Sequence, residues 1–183
     1  MNEEFKVLFS GILGIDYHQF YIDVDDDDDS EDYLSVENAF SEHTNGLCGS
    51  ACSGKLFFTA GPDVGAIAIE IRLHGSPPTL DSNYTEIVEV PFTNSEAPVF
   101  LCEWAHEETH ALDLPPGDYR VRYSIEGFDK DYDDVEEDDD EELKPIPGQK
   151  YLVQFWLQSH QPDEIIKKTS ESAAYWHNSN RSS

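Results

Sequence analysis

The stretch Gly117–Gly127, "GDYRVRYSIEG", alternates apolar and polar side chains with a period of two residues. One face carries Tyr119, Val121, Tyr123 and Ile125, and the other carries Arg120, Arg122, Ser124 and Glu126. This is the pattern of a β-strand that buries one of its two faces. The segments "AIAIEIRL" (66–73) and "KYLVQFWLQ" (150–158) repeat it, so the sequence predicts at least three half-buried strands.

Further strands are predicted where β-branched and aromatic residues cluster between turn signals rich in glycine and proline. These candidates are Phe5–Phe9, Tyr17–Val24, Lys55–Thr59, Ile87–Phe92 and Val99–Cys102. Pro91 lacks the amide that a central strand needs, which predicts that its strand lies at an edge or ends there. The pattern indicates an all-β fold, either an antiparallel β-sandwich or an open barrel of about eight strands.

The C-terminal region has a different pattern. Pro162 suits the first position of a helix, Asp163 and Glu164 follow in the first turn, and apolar residues recur on one face. We therefore predict one amphipathic helix over about residues 162–177 that closes over the sheet. With 183 residues, the chain is expected to form a single β-sandwich domain spanning 1–183.

The charge is concentrated in two acidic segments. Residues 23–32 hold eight carboxylates, and residues 129–142 hold eleven carboxylates with one lysine, out of a formal net charge of -28. We predict that both are loops inserted between strands. Such a charge disfavours direct binding to nucleic acid or to anionic membranes and favours a basic partner.

The three cysteines, Cys48, Cys52 and Cys102, form no recognisable disulfide framework, which predicts a reducing, cytoplasmic location. No segment approaches the roughly 20 apolar residues of a membrane helix. Together with His43, these cysteines could supply four zinc ligands. Their spacing fits no common zinc module, and we interpret them as small buried thiols.

The string "HEETH", His106–His110, matches the zinc-protease pattern with Glu107 in the general-base position. That chemistry requires both histidines on one face of a helix. Here strand-like segments on either side leave too few residues for one. A zinc hydrolase is therefore the third-ranked function.

The acidic segments allow two uses and one neutral interpretation. A calcium-binding module is the second-ranked function, although Asp28 and Leu34 stand where an EF-hand needs glycine and glutamate. An extended acidic chain advances about 3.3 Å per residue, close to the spacing of charges along one DNA strand, so it can imitate DNA. A solvated acidic loop that only maintains solubility, with weak divalent-cation binding, is the alternative to both.

Two segments, "DYHQFYI" (Asp16–Ile22) and "LDLPPGDYRVRY" (Leu112–Tyr123), with "TEIVEVPF" (Thr85–Phe92) between them, resemble the competence protein ComJ family. The resemblance implies a Nin-like inhibitor of a DNA-entry nuclease. The acidic segments and the C-terminal region lie outside the short inhibitor pattern, which indicates a longer branch of the family. The two prolines and the glycine of "LPPGDY" suit a turn into a strand, so the matching residues transfer the fold first.

The leading hypothesis is thus a non-enzymatic, acidic protein without a cofactor that inhibits a basic partner, in particular a nuclease, through a DNA-like surface. The predicted partner-binding carboxylates are those of Asp25, Asp26, Asp27, Asp28, Asp29, Asp133, Asp134, Glu136, Glu137, Asp138, Asp139, Asp140, Glu141 and Glu142. Arg120 and Arg122 are predicted to form exposed cross-strand ion pairs with glutamates, each contributing little stability.

Overall fold

The computed structural model describes residues 4–24, 35–131 and 144–179. The strands are β1 (Phe5–Asp16), β2 (Gln19–Asp23), β3 (Cys48–Gly49), β4 (Lys55–Thr59), β5 (Val64–His74), β6 (Glu86–Asn94), β7 (Val99–Glu103), β8 (Thr109–Leu112), β9 (Gly117–Glu126), β10 (Lys150–Leu157) and β11 (Glu164–Lys167), and the helices are α1 (Val36–Ala39) and α2 (Glu171–Ser179). Neither helix is long and apolar enough to cross a membrane.

The strands form one curled sheet that closes into a half-barrel. Its order is β11-β6-β9-β10-β5-β1-β2-β4-β3, while β7 pairs with β2 and β8 pairs with β7. All pairings are antiparallel except the parallel pairing of β5 with β10. The predicted all-β open barrel with a C-terminal helix is confirmed. The described residues hold eleven strands instead of about eight, because β3, β8 and β11 are too short to show a period of two.

The apolar face of β9 lies in the core, as its alternation predicts. Phe20 of β2 stacks on Phe58 of β4 with ring centroids 4.7 Å apart, and Tyr123 of β9 meets Phe58 edge-on at 5.0 Å. The Tyr123 hydroxyl donates a 2.8 Å hydrogen bond to the carbonyl of Thr59. Burial raises the pKa of Tyr123 well above its ordinary value. This contact joins the two halves of the curled sheet across the core.

The polar face of β9 is also buried, which corrects the predicted exposure of its arginines. Arg122 and Arg120 do pair with Glu89 of β6, at 2.9 and 3.4 Å. However, the connecting segments fold over them. Arg122 donates to the carbonyl of Pro78 and Arg120 donates to that of Gln161. Arg120, Arg122 and Glu89 are therefore covered by the connecting segments. Loss of Glu89 would leave two buried positive charges without their partner.

Pro91 lies in β6, which is the second strand from the edge. The edge strand β11 pairs with β6 only along Ile87–Glu89. Pro91 lies beyond that pairing, on a part of β6 with β9 as its neighbour. The predicted edge strand or strand end at Pro91 is therefore wrong, because β6 is not the edge strand and continues to Asn94; the proline is tolerated where β11 does not reach.

The C-terminal helix begins later than the predicted range of 162–177. Glu164–Lys167 instead form β11 against β6, since two adjacent isoleucines favour a strand at an open sheet edge. The helix α2 starts after Ser170, whose side chain accepts a hydrogen bond from the Ala173 amide as an N-cap.

Two carboxylates from the sheet region hold the start of α2. Glu86 is fully buried and accepts hydrogen bonds from the amides of Thr169 and Ser170, at 2.6 and 2.7 Å. Asp129 accepts from the amide of Ser172 at 3.0 Å, and the hydrogen bonds from Ser172 hold the pKa of Asp129 below its ordinary value. Backbone amides at a helix start favour negative charge, so these acids fix where α2 begins.

Asp163, predicted to lie in a helical first turn, instead accepts hydrogen bonds from a distant loop. One oxygen of its carboxylate is 2.9 Å from the amide of Thr44 and 2.8 Å from both the amide and the side-chain nitrogen of Asn45. Partial burial works to raise the pKa of Asp163. The hydrogen bonds from Asn45 and Thr44 and the nearby His43 outweigh burial and hold this pKa below its ordinary value.

The lowered pKa of Asp163 predicts a pH-dependent contribution to stability. The carboxylate is held charged in the folded state, so its contribution is present above the unfolded pKa of about 3.9 and is lost as the pH falls through the folded value. We expect Asp163→Asn to lower the free energy of unfolding by about 1 to 2 kcal/mol near neutral pH, and by less at pH 3. Urea denaturation at both pH values measures this difference.

Asp113→Asn, which removes an exposed pair with Lys6, is the control and should change stability by less than about 1 kcal/mol. An equal loss for Asp163→Asn at both pH values would contradict the expectation.

The backbone of α2 packs directly against Gly46, where there is no room for a side chain. A Cβ atom at Gly46 would lie 2.0 Å from the carbonyl oxygen of Trp176, whereas one at Gly75 would have no atom within 4 Å. We expect Gly46→Ala to reduce the free energy of unfolding by about 2 kcal/mol or more, because backbone must shift to admit the methyl group. Thermal denaturation compares it with Gly75→Ala, which should be nearly neutral. Equal melting temperatures for the two variants would show that α2 does not pack as described.

Candidate functional site

The predicted partner-binding residues all lie outside the described residues. They are Asp25, Asp26, Asp27, Asp28, Asp29, Asp133, Asp134, Glu136, Glu137, Asp138, Asp139, Asp140, Glu141 and Glu142. The EF-hand positions of the calcium hypothesis beyond Asp23 fall in the same segments. The structure does describe the strands from which both acidic segments leave.

The acidic segments start at opposite ends of the sheet. The first follows β2 and the second follows β9. β1 is antiparallel to both β2 and β5, β5 is parallel to β10, and β10 is antiparallel to β9. It follows that β2 and β9 run in opposite directions, so their carboxyl ends lie at opposite ends of the half-barrel.

The first acid of each segment serves the fold. Asp23, at the end of β2, is buried and pairs with Lys55 at 3.1 Å, and its carboxylate is 3.4 Å from the ring of His106. Asp129 holds the start of α2, as described above. Hence Asp23 and Asp129 both have a structural role, and the predicted partner-binding residues begin after them.

The "HEETH" string does not form the helix that a zinc protease requires. His106 ends a short 3₁₀ turn, Trp104–His106, in which Ala105 and His106 both have positive φ. His110 lies in β8, where its ring contacts that of Phe9 at 4.9 Å between centroids. Across residues 4–24, 35–131 and 144–179, no three His, Cys, Asp or Glu side chains are grouped to hold a metal ion.

The cysteines are separated by the sheet. Cys48 belongs to the main core, while Cys102 belongs to a second apolar cluster with Tyr21, Phe40 and Phe57. Burial, with a smaller effect from the charge of Asp163, raises the pKa of the Cys48 thiol well above its ordinary value. A high pKa makes a thiol a poor nucleophile and a poor metal ligand. The prediction of small buried thiols holds for Cys48 and Cys102, whereas Cys52 is only partly buried.

An acidic group that sequence reasoning missed lies beside β1. The carboxylate of Glu103 accepts a 2.7 Å hydrogen bond from the amide of Gly14. Burial is the main reason why the pKa of Glu103 is raised; the Gly14 hydrogen bond opposes this effect, while the charges of Glu108 and Glu107 add to it. Glu103, Glu107 and Glu108 thus form an acidic group beside Gly14 of β1.

The sequence matches a known family across most of its length. The profile of the competence protein J (ComJ) family matches residues 13–146. That range includes the "DYHQFYI" and "LPPGDY" segments. No curated protein matches the chain.

Two solved structures resemble this fold. One is the crystal structure of ComJ from Bacillus subtilis, described as the inhibitor of the DNA-degrading activity of NucA, with 18% sequence identity, a TM-score of 0.53, and coverage of 85% of this chain and 99% of that chain. The other is named Crocagin biosynthetic gene J, with 17% identity, a TM-score of 0.50, and coverage of 86% and 99%. At these identities the matches establish a shared fold. Together with the family match over well more than half of its length, this shows that the chain belongs to the ComJ family.

Proposed function

We propose that this protein inhibits a DNA-degrading nuclease by binding to it, without catalysing a reaction. Membership of the ComJ family over residues 13–146 carries the proposal. The shared fold with the Bacillus subtilis inhibitor of NucA supports it, since nearly all of that chain is matched. In this proposal the inhibitor acts in the cytoplasm, where reducing conditions keep Cys48, Cys52 and Cys102 reduced.

The negative charge of this chain favours binding to a positively charged surface of the nuclease. A nuclease that binds DNA presents basic side chains in its substrate cleft, and a protein of formal charge -28 is attracted to such a cleft. This attraction accelerates association and weakens as salt screens it. The partner in this proposal is therefore a basic nuclease, and inhibition is strongest at low ionic strength.

The acidic segments are the proposed contacts with the DNA-binding cleft. The carboxylates of Asp25–Asp29 and Asp133–Glu142 take the place of DNA phosphates there. Since β2 and β9 end at opposite ends of the half-barrel, the two segments contribute separately in this proposal, and one segment enters the cleft while the other adds long-range attraction.

Titration of a purified DNA-degrading nuclease from the same genome with this protein tests the proposal. One variant replaces Asp25–Asp29 by Ser and Asn, and a second replaces Asp138–Glu142 in the same way. We expect the wild-type protein to stop plasmid degradation at near-stoichiometric amounts. The variant lacking the cleft segment should require about tenfold more protein or more at low salt, because electrostatic steering is lost.

The control for location is the triple variant Glu37→Gln, Glu96→Gln and Glu164→Gln, which removes three exposed charges outside both segments. It should inhibit almost as well as the wild type. If the wild-type protein leaves the nuclease active, the proposed function is wrong. If it inhibits but both segment variants match it, the acidic segments are not the binding element.

A further inference from the structure

The first strand has a long edge that no described strand pairs with. β1 pairs with β5 along its whole length, from Phe5 to Asp16. On its other side, β2 pairs with it only between Asp16 and Gln19, and then turns away to pair with β4 and β7. Within the described parts of the chain, no strand pairs with the edge of β1 from Phe5 to Leu13, although His110 contacts Phe9 and Asp113 pairs with Lys6 there.

The register shows which backbone groups this edge presents. In an antiparallel pair, residues alternate between those that bond to the partner strand and those whose amide and carbonyl point away. The amide of Gly14 donates to Glu103 instead of to β5, so Gly14 is of the outward kind. Because the pairing is unbroken from Ser10 to Asp16, Ser10 and Ile12 are outward as well.

The outward amide of Gly14 has a hydrogen-bond acceptor from outside β5. The Glu103 carboxylate lies 2.7 Å from this amide, where the carbonyl of a neighbouring strand would lie. Ser10 and Ile12 are the next positions of the same kind along β1. An extended segment laid beside them would accept a hydrogen bond from the amide and donate one to the carbonyl at each position.

The side chains beside this edge are apolar and exposed. Phe5, Val7 and Ile12 share the outer face of β1, with 44%, 45% and 59% of their surfaces accessible. Sheet edges usually carry charges, prolines or covering loops that prevent pairing with another chain. Here the charge of Lys6 is paired with Asp113, and the outer face offers apolar contacts to an added strand.

The surroundings favour a basic occupant. β7 ends at Glu103, and the turn after it carries Glu107 and Glu108; burial raises the pKa of Glu103, and the charges of Glu108 and Glu107 add to this effect. Asp113, which pairs with Lys6 of β1, lies on the same side. A second copy of this chain is disfavoured, because two molecules of formal charge -28 repel each other.

We propose that the open edge of β1, centred on Ser10 and Ile12, binds an extended basic segment of the partner by strand addition. The inference rests on the proposed function, because the partner that supplies the segment is the inhibited nuclease. It places one contact on the described half-barrel, apart from both acidic segments.

Two edge variants test this inference. Ser10→Pro removes an outward amide and leaves the hydrogen bonds to β5 intact, since proline is tolerated on a strand edge. Ile12→Lys places a positive charge where the basic segment would lie. Leu157→Lys, at a 68% exposed apolar residue on β10, is the matched control. Calorimetric titration with the nuclease measures the dissociation constant of each protein, and thermal denaturation checks folding.

We expect both edge variants to bind at least tenfold more weakly than the wild type, with Leu157→Lys unchanged. Wild-type affinity in a folded Ile12→Lys protein would overturn the inference, whether or not Ser10→Pro folds, and would leave the inhibitor function standing. A concentration-dependent dimer that Ile12→Lys dissolves would also overturn it, because the occupant would then be a second copy. Failure of the wild type to inhibit would overturn the proposed function, and the strand-addition inference with it.

Discussion

The contact of Phe20, Phe58 and Tyr123 in the core determines how the sheet closes. It joins β2 and β4 on one side to β9 on the other, and the hydrogen bond from Tyr123 to Thr59 fixes their separation. To bring Phe20 into this contact, β2 must leave β1 directly after the tight turn at Tyr17 and His18, both of which have positive φ. The open edge of β1 is therefore a consequence of closing the core.

Carboxylates have two separate uses in this protein. Glu86, Asp129 and Asp163 accept hydrogen bonds from backbone amides and so fix α2 and the loop around Asn45. Glu103 does the same for the edge of β1. The structural acids lie singly in the sequence, or at the margin of an acidic segment, whereas the carboxylates proposed to contact the nuclease are clustered. This division lets a chain of extreme charge keep a stable core.

The strands with a clear period of two could be predicted from the sequence, because one face of each lies in the core. This holds for β5, β9 and β10, and the ComJ resemblance in Asp16–Ile22 and Leu112–Tyr123 falls within the matched range of the family. Features that depend on distant segments could not be predicted. The burial of Arg122 requires the loop at Pro78 to fold over it, and β11 forms because β6 offers it an edge.

The candidate site also has one part that the sequence predicts and one part that depends on distant segments. The acidic segments are visible in the sequence as charge, but charge alone does not reveal that β2 and β9 end at opposite ends of the half-barrel. The contact between Gly14 and Glu103 joins residues 89 positions apart and has no local signal. An alternating pattern also cannot distinguish a paired edge of β1 from an open one.

Amide hydrogen exchange on the complex with the nuclease is the most direct test of a partner bound through this edge. We expect the amides of Ser10 and Ile12 to exchange more slowly in the complex than in the free protein, because strand addition supplies acceptors for them. The amide of Gly14, which already donates to Glu103, should change less. Unchanged exchange at Ser10 and Ile12 in a saturated complex, with protection elsewhere, would contradict binding through β1.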